Sequence, residues 1–224
     1  MVKVKKTNFL LLLIITCVTI NCKQDMEVFS FHHFDRKADT INIDFSLNNI
    51  DFIHSLEKNN KINLCQERYK LGVFELENSK YIFPVIIDKD CNDAVLIHNI
   101  IDVICNENNQ VLVESELVGL NENLKNEIFR HTKERLDSKK YNGLFYNFNW
   151  DVRLGEVANK KKLVEVLKGI DLVLEYKSME LLEKPLRSLS EKELEKLNDN
   201  FYAIILIVDY SPITNVPPPP LMIN

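Results

Sequence analysis

Two adjacent histidines and an acid, His32, His33 and Asp35 in the run FHHFD, are the residues best suited by type to metal or acid–base chemistry. Their spacing argues against a shared metal. Neighbours on a strand point to opposite faces, and no HExxH or other spaced ligand set accompanies them. Solvated or packing histidines fit the pattern better, so no metal site is assigned. Asp88-Lys89-Asp90 looks like a fragment of a calcium loop but lacks the glycine and distal glutamate of EF-hand spacing. His54 and His98 fall in helical stretches near apolar residues, where a histidine is more often hydrogen-bonded in the core than catalytic. Trp150-Asp151 remains as a binding candidate, because tryptophan is favoured in interfaces. The competing reading is a core tryptophan beside a surface acid. Glu114 and Glu116 alternate with apolar residues and read as the solvent face of a strand. No nucleophile–base pair emerges from linear spacing, so no catalytic residue and no cofactor is assigned.

Composition narrows the classes further. The chain holds 224 residues, only 5 glycines, and a formal net charge of −5. An acidic chain without an extended basic patch argues against nucleic-acid binding. GxGxxG, P-loop and GxSxG motifs are absent, so nucleotide and α/β-hydrolase chemistry lack their usual turns. Cys65, Cys91 and Cys105 follow the N-terminal region. They fit either three small buried hydrophobes or one exported pair, Cys65–Cys91, with one thiol left over.

The N-terminus carries an address. Lys3, Lys5 and Lys6 precede the apolar run Phe9 to Ile20, the layout of a secretory signal over residues 1–21. The run is too short to cross a bilayer, which needs roughly 20 apolar residues. It exits through Thr19-Ile20-Asn21-Cys22. That exit resembles the lipobox of bacterial lipoproteins, in which Cys22 becomes the first mature residue and carries the lipid. Lys23, Asp25 and Glu27 resemble the short charged signal that sorts some lipoproteins to the outer membrane or its surface. The resemblance implies a membrane partner through lipidated Cys22 and a tether with a first strand over residues 22–39. A plain exported protein with an incidental Cys22 is the other reading.

Elements must position whatever site exists. Ile41, Ile43 and Phe45 alternate as in a half-buried strand, and Ile50, Ile53 and Leu56 recur at helical spacing. YKLGVFELE and YIFPVII flank Asn78-Ser79-Lys80 as a hairpin, with Pro84 expected at an edge or bulge. Residues 40–100 thus form a small β-rich region that should supply the exposed sheet edge. From Ile101 the order reads β-β-α-β-α-α-β. VICNENNQVLVESEL is a strand pair, 121–136 an amphipathic helix and 144–152 a strand. Lys160 to Glu183 is a long helix with Gly169 as its weak spot. Ser190-Glu191-Lys192-Glu193 is a capping box, and FYAIILIVD is a central strand. Residues 211–224 form a Pro-rich tail. The expected fold is α+β, a small mixed sheet with helices on one face.

This order over residues 101–210 resembles the periplasmic domain of the ExbD/TolR family, with FNWD, the KPLRSLSE stretch and the closing FYAIILIVD as its soft motifs. The resemblance implies an envelope-transport accessory. The family's membrane carboxylate has no counterpart in the short apolar run, and proton coupling depends on such a residue. The expected function is therefore a non-enzymatic, lipid-anchored envelope protein that binds a protein or cell-wall partner. An exported hydrolase with a site assembled from scattered residues is the alternative. A shallow surface at an open strand edge favours binding by strand addition; a deep pocket of converging carboxylates or histidines favours the enzyme.

Overall fold

The fold is taken from a computed structural model, which describes residues 25–28, 39–60, 62–89, 91, 99–119, 123–138 and 142–209. The N-terminal signal, Cys22, Lys23, His32, His33, Asp35, His98 and the Pro-rich tail lie outside them. Nine strands build one mixed sheet: β1 (Asp25–Val28), β2 (Thr40–Asn42), β3 (Tyr69–Leu76), β4 (Ser79–Asp88), β5 (Ile100–Cys105), β6 (Val111–Val113), β7 (Glu116–Leu117), β8 (Gly143–Asn149) and β9 (Tyr202–Val208). The spatial order is β2-β3-β4-β9-β8-β5-β6-β7, and β1 pairs with the first half of β4. Four helices accompany it: α1 (Asn49–Asn60), α2 (Leu124–Ser138), α3 (Glu156–Leu182) and α4 (Glu191–Asn200). The α+β class is as expected. No helix among the described residues is long and apolar enough to cross a membrane.

The apolar run at the C-terminal end sits at the middle of the sheet. β9 pairs in parallel with β4 on one side and β8 on the other, with Ile205 opposite both Val85 and Tyr146. Ala203, Ile205 and Ile207 enter one core with Phe83, Val85, Tyr146 and Phe148 and with the α3 stripe Leu163, Val166, Leu167, Ile170 and Leu174. Ile204, Leu206 and Val208, on the other face, are buried as well. That two-sided burial is why the run shows no polar alternation. Residues 40–100 join the same sheet through the β4–β9 pairing.

Several local expectations are corrected. Pro84 lies inside the sheet, neither at an edge nor in a bulge. Leu71 donates its N–H to Asp39, on the β2 side, so the Leu71–Pro84 pair exchanges no bond and the proline nitrogen faces the other way. There β1 pairs only as far as Ile82 and β9 begins at Val85. The missing donor falls in that gap. The hairpin turn is Glu77-Asn78, with Glu77 at φ 57°. QVLVESELV is two short strands around Glu114-Ser115, both at positive φ. Glu114 therefore belongs to a turn; it accepts from the Asp102 N–H and pairs with Arg135. His54 is exposed on α1 and is no core residue.

Gly169 has a packing reason. A Cβ there would come within 2.7 Å of Ile128 Cβ and 2.8 Å of the Lys125 carbonyl oxygen on α2. The glycine lets α2 and α3 approach. Gly169→Ala gains roughly 1 kcal/mol of helix propensity but meets backbone, and such overpacking costs about 1–3 kcal/mol. The variant should melt at a lower temperature than the native chain. A higher melting temperature would show that the two helices separate freely.

Candidate functional site

Trp150 and Asp151 follow β8 and are used inside the fold. The indole is 5 % exposed, packs within 5.1 Å of Phe45 and 6.0 Å of Phe148 (ring centroids), and donates to the Leu47 carbonyl at 2.7 Å. Asp151 caps the short turn 152–154, accepting from the Arg153 backbone at 2.9 Å and from its guanidinium at 2.6 Å. That guanidinium holds the Asp151 carboxyl below the ordinary carboxylate value. The backbone of Asp25 and Glu27 lies in β1, in register with Ser79 and Tyr81.

Cys65 and Cys91 are joined as a disulfide, which decides between the two cysteine readings. Cys105 is free and buried, and burial pushes its thiol up to about 12. A thiol held that far from ionisation is no nucleophile. Among the described residues no group of three or more His, Cys, Asp or Glu side chains is placed to hold a metal.

A polar cluster forms where α2 meets the far edge of the sheet. Glu127, Arg130 and Glu134 share one helix face by their i, i+3 and i+4 spacing. Arg130 donates to Glu127 at 2.7 and 2.9 Å and to Glu134 at 3.2 Å. It also reaches off the helix to Glu116 on β7, at 3.0 Å. Its remaining contact is the His131 ring nitrogen Nε2 at 2.9 Å. A guanidinium can only donate, so the ring nitrogen is the acceptor in this contact. His131 is buried beside Glu116, 3.4 Å away. The hydrogen bond from Arg130 holds the exposed Glu116 carboxyl below its ordinary value.

Glu116, Glu127, Arg130 and His131 line an open pocket of about 350 Å³ together with Leu117 and Val118. Leu117 is 55 % exposed. Its backbone faces outward, because Val118, the next residue, donates to Val111 on β6 and strand residues alternate. Among the described residues no strand pairs with the outer side of β7. The sheet thus ends at β2 in the N-terminal region, where an edge was expected, and also at β7. The pocket combines hydrogen-bonding edge, exposed leucine and a fixed arginine–carboxylate network. Its lining contains no serine, threonine or cysteine.

Sequence reasoning missed this site. The Glu127–Arg130–Glu134 spacing was visible, but it is equally that of a solvated helix face. Glu116 joins it only through the fold. No protein-family model matches the chain, and neither the curated proteins nor the solved structures hold a match to it.

Proposed function

We infer that the protein is an exported, lipid-anchored envelope protein that works by binding, and that β7 with the Arg130 pocket is its binding edge. The carrying observation is the convergence of Glu116, Glu127, Glu134 and His131 on Arg130 beside a strand edge that no strand among the described residues pairs with. An extended protein segment fits such a place. It would add to β7 by main-chain hydrogen bonds and set its side chains against Leu117 and the pocket. The disulfide supports export, since such bonds persist in oxidising compartments. The anchor and its outer-membrane address rest on the Cys22 exit and on Lys23, Asp25 and Glu27. The order of elements from β5 onward, with β7 added, supports the ExbD/TolR-like reading alongside its soft sequence motifs. The hydrolase alternative rests on the His131–Glu116 contact and lacks a nucleophile beside it in the pocket.

A photoreactive residue at position 117 tests the edge in intact envelopes. A discrete protein adduct is expected there, with none from position 172 on the outer side of α3. Arg130→Ala should weaken the interaction by about tenfold or more, as for an interface arginine. A ladder collapsed by a muramidase would make the partner a wall polymer. Absence of any adduct at position 117 would reject the edge.

A further inference from the structure

We propose that the β3–β4 turn and the first turns of α3, with Val157 at their centre, are the face the protein lays on the membrane. The inference rests on lipidation of Cys22. β1 begins at Asp25, three residues after the anchor, and three residues of extended chain span at most about 11 Å. The lipid therefore holds β1 close, with no room for a long tether. Asp25 is in register with Ser79, at the start of β4. Two residues earlier Glu77 pairs with Lys161 of α3 at 3.5 Å. Lys161 stands one helical turn above Val157, on the same face.

The chemistry of this face suits a lipid surface. Val157, at 59 % exposure, is the most exposed large apolar side chain among the described residues, and Val152 nearby is also exposed. Arg153, Lys160 and Lys161 surround them, and long basic side chains can lie along an apolar interface with their charges in water. Each of these cations is already paired, with Asp151 and Glu107, Glu156, and Glu77 respectively. The face is thus close to neutral, so apolar contact rather than attraction to anionic lipid orients it. The lipid supplies affinity and the valines set the pose. In that pose the β7 edge, at the far end of the sheet path from β1 and β4, stays in water.

The test uses the full acylated chain in vesicles of phosphatidylethanolamine and phosphatidylglycerol. An environment-sensitive fluorophore is placed at Val157→Cys and, separately, at Leu117→Cys, which is nearly as exposed. Vesicle insertion should shift the position-157 emission to the blue and make it quenchable by nitroxide lipids. The position-117 signal should not move, and added salt should not reverse the shift. An unchanged signal at 157, or equal shifts at both sites, overturns the proposal. Labelled palmitate in the same preparation separates the causes. If it enters and position 157 stays in water, the pose alone is wrong. If none enters, the anchor reading falls and takes the pose with it.

Discussion

Ile205→Asp should abolish the cooperative fold. The side chain is 1 % exposed and lies in β9 between two parallel neighbours, opposite Val85 and Tyr146. Losing its burial costs roughly 1.5–3 kcal/mol. An aspartate there adds a buried charge with no cation facing it from either register partner. Burying an unpaired charge costs several kcal/mol more or forces it to protonate. Domain stability is typically about 5–15 kcal/mol, so the two terms together approach the whole. Near-ultraviolet circular dichroism should be lost at room temperature and the thermal transition should vanish. Ile205→Val, at about 0.5–1.5 kcal/mol, should keep both. A cooperative melt close to the native one for the aspartate variant would mean that β9 is peripheral.

Breaking the Cys65–Cys91 bond should cost about 3 kcal/mol. The bridge closes a loop across a sequence separation of 26, and constraining a loop of that size removes about that much free energy of unfolded-chain entropy. Cys65→Ser should lower the urea midpoint and steepen the transition, because the uncrosslinked unfolded chain exposes more surface. Cys91→Ser should match it, and reduction of the native chain should reproduce both. Cys105 is buried and its thiol resists ionisation, so it should not substitute as a partner. Equal midpoints for oxidised and reduced native chain would remove the disulfide from the stability account and with it the support it lends to export.

What was legible in the sequence was local. FYAIILIVD has no polar alternation because both faces of β9 are covered, and that pattern is written in consecutive residues. Ser190 and Glu193 form their reciprocal cap within one turn, with Glu193 accepting from the Ser190 N–H at 2.9 Å. What escaped is fixed by distant partners. Gly169 reads as a flaw in α3 from sequence alone, and its reason is Ile128 and Lys125 of α2 packed against it. Pro84 is tolerated inside the sheet because β1 and β9 leave a gap at its nitrogen, which consecutive residues do not show. The Glu114-Ser115 turn hid inside an alternating apolar pattern, because the alternation survives when a strand folds back on itself. Arg130 draws Glu127, Glu134 and His131 from its own helix, and the telling partner, Glu116, comes from β7.

The proposed lipid anchor at Cys22 can be measured directly. Cells producing the native chain and Cys22→Ser are fed labelled palmitate, and membranes are then separated from soluble fractions. The account predicts label in the native chain alone, found with the outer membrane, and an unlabelled Cys22→Ser chain that is soluble or unprocessed. Equal labelling of the two chains, or a native chain that carries no lipid, would contradict it.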